Sequence, residues 1–181
     1  MNQPGAAQTQ GAADTKTLRT PAPSKPEPVR AKEMATLLIQ SFPDVKVDYV
    51  RERRLKLSIV PSRIKDVAFF ARDKLGFDHI SAVSGVDWIA KNEFEVVYFV
   101  GAVSKPGYED FVIAISERVA RDNPAVPTLI DVWPGVEYHE RETHEMFGID
   151  FQGHPSSAHL LLPEDWNDIP PLRKDYVSPG R

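Results

Sequence analysis

The sequence predicts an α+β domain, a mainly antiparallel sheet with helices packed on it, followed by an extended C-terminal arm. Three observations carry this. Periodicities run in the order helix, strand, helix and then three strands in succession, which suits an α+β sandwich better than alternating βαβ units. A short and densely charged helical stretch comes next. After Gly153, prolines at 155, 163, 170, 171 and 179 forbid long helices while large apolar residues continue.

The first 28 residues contain five prolines and no aromatic residue. They cannot bury enough surface to offset their ordering entropy, so residues 1–30 read as a disordered extension. Deleting residues 1–28 is expected to leave the melting temperature within about 2 °C. The domain proper is expected over residues 31–153 and the arm over 154–181. Met34, Leu37, Leu38 and Phe42 fall at helical spacing and stop before Pro43. In "RLKLSIV", Leu55, Leu57 and Ile59 alternate with polar residues, a half-buried strand. Ser62 is then placed to cap a helix carrying Ile64, Val67, Ala68, Ala71 and Leu75, ended by Gly76. "HISAVSGVDWI", "EFEVVYFVGAV" and "DFVIAISERV" read as three further strands, with "AKNE" as a hairpin turn between the first two. Pro134 and Gly148 bracket a helix ending at Phe147.

Composition narrows the function classes. With 41% hydrophobic residues the chain can build one domain-sized core. A net charge of −4 disfavours nucleic-acid binding, which needs a basic face. The absence of cysteine excludes disulfides, thiolate metal sites and iron–sulfur ligation by this chain. No run approaches the roughly 20 apolar residues of a membrane span, and the start lacks a signal peptide's apolar region. A soluble, cytoplasmic protein is expected.

The chemistry-bearing stretch is "HERETHEMFGIDFQGHP", His139 to Pro155. A zinc-protease helix needs histidines four apart on one face; His139 and His144 are five apart, roughly 140° around the helix. Glu142 and Glu145 share a face and could act as an acid/base pair, yet Arg141 is four residues from both Glu137 and Glu145 and offers an ion-pair explanation. No phosphate loop or nucleophile elbow is present. With charge on every side of the helix, the remaining use is a docking surface, where ion pairs add specificity. Arg141 is expected to bridge Glu137 and Glu145, leaving Glu140 and Glu142 to receive basic groups such as Arg173 and Lys174.

The motif Glu140-Arg141-Glu142, two free positions, Glu145-Met146-Phe147 and then His154 resembles a known family. Gly153-His154-Pro155, "PEDW" (Pro163–Trp166) and "PLRKDY" (Pro171–Tyr176) extend the likeness. The chain is similar to the C subunit of proton-pumping NADH–quinone oxidoreductase, respiratory complex I. Relatives occur in archaeal deazaflavin-dependent dehydrogenases and in energy-converting membrane-bound hydrogenases. The resemblance spans about residues 32–176 and is to the stand-alone rather than the fused form. It implies a non-catalytic assembly subunit of the peripheral arm, docked on the large hydrogenase-like, quinone-site subunit near the small iron–sulfur subunit. The complex would sit on the cytoplasmic side of the membrane, with no nucleic acid as partner. No catalytic, cofactor or metal residue is implied in this chain; iron–sulfur clusters would belong to partner subunits, with flavin a further candidate there. Implied partner-binding residues are Glu140, Arg141, Glu142, Glu145, His154, Trp166, Arg173, Lys174, Asp175 and Tyr176, with Trp166 and Tyr176 as apolar anchors. Ala158 departs from the basic residue or proline usual at its position, so one contact of the arm is in question there. Two alternatives stand beside this reading: the same subunit in a ferredoxin-fed hydrogenase or sulfur-reducing complex, and a free-standing metalloenzyme using His139, His144 and Glu142.

Overall fold

In the computed structural model, which describes residues 28–156 and 158–178, strand alternation organises the core. One sheet holds β1 (Lys46–Arg51), β2 (Arg54–Ile59), β3 (His79–Trp88), β4 (Glu93–Gly101) and β5 (Val112–Ala120), in the order β1-β2-β5-β4-β3. Neighbours are antiparallel except β2 and β5, which run parallel. Phe94, Val96, Tyr98 and Val100 of β4 point to one face, and Ile113 and Ile115 of β5 stand opposite Val100 and Tyr98. Leu55 and Leu57 of β2 continue the row. Helices α1 (Val29–Ser41), α2 (Ile64–Asp73) and α3 (Val136–Phe147) add their buried side chains to this one cluster. Each large apolar side chain so buried contributes about 1.5–3 kcal/mol.

Several local expectations need correction. Helix α1 starts at Val29, so residues 29 and 30 belong to the fold rather than to the tail; the Arg30 guanidinium bonds the Gly107 carbonyl and lies 3.4 Å from Asp110. The rest of the predicted extension, residues 1–27, lies outside the described residues. Strand β1 adds to the predicted elements. A bulge at Asp48 puts Val47 opposite Leu57 and Val50 opposite Leu55, so its apolar residues are three apart and the two-residue period disappears. Ser62 does not cap α2: Pro61–Arg63 form a 3₁₀ turn and Arg63 takes the cap position without a side-chain bond. The β3–β4 hairpin is present, with Asn92 in the left-handed conformation at φ 54°.

Two three-residue strands, β6 (Ala125–Pro127) and β7 (Asp150–Gln152), pair in parallel on either side of α3. They are too short to leave a periodic signal. Together they make a small βαβ unit that sets α3 across β3. Gly85 makes the seat close: a Cβ there would lie 2.5 Å from the Phe147 ring. Gly148 ends α3 at φ 73°, where its N–H bonds the His144 carbonyl at 2.7 Å.

Candidate docking site

Helix α3 is not polar all round. Val136, Glu140, Thr143 and Phe147, spaced four, three and four residues apart, form a stripe that faces the sheet and is buried. Two polar residues on that stripe disguise it. Glu140 is 0% exposed and accepts from the Tyr98 hydroxyl at 3.0 Å, the Leu129 N–H at 2.9 Å and the Thr128 hydroxyl. Burial raises its carboxyl above the usual range, while those donors pull the other way. Burial and the nearby Glu140 carboxylate push the Tyr98 hydroxyl well up. Glu117 points into the same core from β5, opposite Val96, and neither of its oxygens has a hydrogen-bond partner. Burial, with a further push from Glu140, raises its carboxyl to about 9, so it is protonated at neutral pH.

A second carboxylate holds the C-terminal segment. Glu145 accepts from the backbone N–H groups of Leu160 at 3.1 Å, Leu161 at 2.9 Å and Leu162 at 2.7 Å, and sits 3.1 Å from His159 Nδ1. Burial opposes its ionisation, but these donors outweigh it and hold its carboxyl below the usual value. Arg141 grips the chain just upstream, donating to the carbonyls of Ala158 at 3.0 Å and His159 at 3.2 Å. One turn of helix thus satisfies both donors and acceptors of an irregular segment, which side-chain-to-backbone bonds must do where no strand or helix can.

The far end of the segment is fixed independently. The Leu172 N–H bonds the Met146 carbonyl at 3.1 Å, and Arg173 Nε donates to the Phe147 carbonyl at 2.7 Å, capping the end of α3. The Lys174 N–H bonds Asp87 at 2.8 Å. Arg121 bridges buried Asp87 at 3.1 Å and Asp175 at 2.8 Å. The Arg121 and Arg173 guanidiniums both lie over the Phe94 ring, 5.2 and 5.1 Å from its centre.

This placement corrects the expected pairings. Arg141 forms no ion pair with Glu137 or Glu145; it donates to carbonyls and lies over the Tyr138 ring. Glu140 is buried and already accepts three hydrogen bonds inside the core, so it presents no carboxylate to a basic group from outside, and Arg173 bonds the Phe147 carbonyl instead. Glu142 alone of the predicted acceptors is exposed. Trp166 and Tyr176 are half-buried and pack on each other, with ring centres 6.1 Å apart. His154 is fixed between the Ser156 and Glu137 carbonyls at 2.6 and 3.1 Å. Ala158 keeps a role in the segment through its carbonyl, which any residue supplies.

Sequence reasoning missed Tyr98, Thr128, Glu117, Asp87 and Arg121. Two were within reach: Asp87 and Glu117 sit at the inward phase of apolar strands, where a carboxylate needs a reason. A polar cleft of about 380 Å³ opens beside α3, lined by Glu140, Arg141, His144, Asp150 and His154 among others. His144 Nδ1 is taken by the Ile149 carbonyl at 2.8 Å. Among the described residues, no three histidines or carboxylates converge as metal ligands would. No helix there is long and apolar enough to cross a membrane.

The clamp predicts an experiment. Glu145→Ala should leave the core melting transition within a few degrees while amide exchange at residues 160–162 rises at least about tenfold, because three N–H groups lose their acceptor. Unchanged exchange would show that the segment is held without Glu145.

Comparison with known proteins fits this architecture. The family model "Respiratory-chain NADH dehydrogenase, 30 Kd subunit" matches residues 57–181. The C subunit of NADH-quinone oxidoreductase from Roseiflexus castenholzii is 44% identical over 124 residues, covering 67% of this chain and 68% of that protein. The C subunit of F(420)H(2) dehydrogenase from Methanosarcina mazei is 35% identical over 123 residues, covering 68% of this chain and 75% of that protein. A chain of the membrane-bound sulfane sulfur reductase, an archaeal respiratory membrane complex, shares the fold with a TM-score of 0.69 at 24% identity, covering 82% of this chain and 86% of its own. With its charged helix and Pro-rich segment inside the matched region, the chain belongs to the family of the respiratory-chain NADH dehydrogenase 30 kDa subunit.

Proposed function

We propose that this chain works as a non-catalytic docking subunit of a complex-I-like oxidoreductase, of the same type as the C subunit of NADH–quinone oxidoreductase. One observation carries the docking role: the C-terminal segment is pinned by its backbone to α3 and β3, while Leu160, Leu161, Ile169, Leu172 and Tyr138 remain exposed. A segment ordered from behind and apolar in front suits a partner's surface. The partner we assign is the large hydrogenase-like, quinone-site subunit, with the small iron–sulfur subunit nearby, on the cytoplasmic side of the membrane. Redox groups would reside in those partners; of the Glu142 and Glu145 pair that could have served acid/base chemistry, Glu145 is taken up by the backbone donors of residues 160–162, which leaves exposed Glu142 without its partner.

The test is recovery of the tagged full-length chain from its own cells by native electrophoresis. We expect it in a large assembly with NADH- or ferredoxin-linked activity, and Leu161→Asp with Leu172→Asp should abolish that association while circular dichroism stays unchanged. A chain that migrates alone with intrinsic turnover would overturn the reading. Arg141→Ala should weaken association by only about 1–2 kcal/mol, because a half-exposed guanidinium bonded to carbonyls is lost rather than a buried ion pair.

A further inference from the structure

We infer that the surface this chain docks on is an apolar groove of a protein partner bordered by lysine or arginine side chains; the inference rests on the docking reading above. The apolar side chains that the segment and α3 leave exposed include Leu161 at 61%, Leu172 at 54% and Tyr138 at 60%, and we take them as the docking ridge. Its charge is one-sided. Glu142 on α3 and Glu164, Asp165 and Asp168 in the segment are exposed, and none of the four has an ion-pair partner among the described residues. The basic groups that share the segment are spent inward: Arg173 caps α3, Arg141 holds carbonyls, and Arg121 lies between Asp87 and Asp175. Among the described residues of the segment, only the Lys174 side chain is left to oppose the four carboxylates. Glu142 and Leu172 line the same shallow cleft beside β3, so at that point charge and apolar surface adjoin, while Glu164, Asp165 and Asp168 follow Leu161 closely along the same segment.

Unneutralised carboxylates around an apolar ridge repel other acidic surfaces and steer a basic rim into register. They also oppose an anionic lipid headgroup, which makes a protein groove the better fit than a membrane. The rim should therefore act on the rate of association, and the ridge on the rate of dissociation.

The experiment immobilises the purified large subunit and flows the full-length chain over it. Raising salt from roughly 50 to 300 mM should slow association about tenfold. A Glu164→Lys, Asp165→Lys variant should slow it about five- to tenfold at the lower salt, with dissociation within about twofold of the parent. Leu161→Ser should accelerate dissociation at least about tenfold. If charge reversal leaves association unchanged or speeds it, the basic rim is wrong while the docking reading stands. If Leu161→Ser and Leu172→Ser both dissociate like the parent, the docking reading itself fails. Flotation of the chain with vesicles containing anionic phospholipid would overturn the protein-groove assignment.

Discussion

Glu140→Ala is expected to destabilise the domain by about 3–5 kcal/mol. The change strands the Tyr98 hydroxyl, the Leu129 N–H and the Thr128 hydroxyl inside the core, each at about 1–3 kcal/mol, and leaves a cavity. Relief from burying a carboxylate offsets part of this, as its raised carboxyl indicates. Against a typical domain stability of about 5–15 kcal/mol the loss is large enough to lower the urea midpoint by a molar or more. Glu142→Ala, an exposed position on the same helix, should stay within about 0.5 kcal/mol. A Glu140→Ala loss below about 1 kcal/mol would mean that water enters and satisfies the three donors.

Glu117→Gln is expected to stabilise the protein, and increasingly so as pH rises. In the folded chain the Glu117 carboxyl is raised from 4.5 to about 9. Folding therefore requires a proton that the unfolded chain has released once the pH exceeds about 4.5. Stability from this group is complete below that pH and is lost as pH climbs towards 9, at up to about 1.4 kcal/mol per unit. Glutamine keeps the shape without the ionisation. The variant and the parent should unfold alike near pH 4.5, and by about pH 8 the variant should be ahead by a few kcal/mol. Thermal unfolding followed at five pH values decides it: parallel curves would show that Glu117 is solvated or paired in the folded state. Glu140, raised by the same burial, gives the parent a slope of the same sign, so both variants belong in the series.

Local signals predicted the secondary structure well where the period was intact. Leu55, Leu57 and Ile59 marked β2, the run after Ile64 marked α2, and Gly148 closed α3 as its φ of 73° requires. They failed where geometry broke the period, at the Asp48 bulge in β1, and where strands were three residues long, in β6 and β7. On α3 the stripe Val136, Glu140, Thr143, Phe147 was present in the spacing, but a carboxylate in a core-facing position reads as a surface residue until its donors are known.

The amino-acid sequence by itself determined the α+β class, the family through its Glu-Arg-Glu helix and Pro-rich segment, and the exclusion of thiolate chemistry by the absence of cysteine. Those depend on residue identity and on spacings within a turn or two. The tertiary structure alone decided that β2 and β5 pair in parallel, that Arg141 holds carbonyls instead of carboxylates, and that Asp87 and Arg121 anchor Lys174 and Asp175. It also decided which glutamates are buried. Arg141 meets its carbonyl partners 17 and 18 residues away, and Asp87 meets the Lys174 N–H 87 residues away. A guanidinium or carboxylate can satisfy many partners with equal chemistry, so spacing along the chain cannot choose among them. Proximity set by the packed core does.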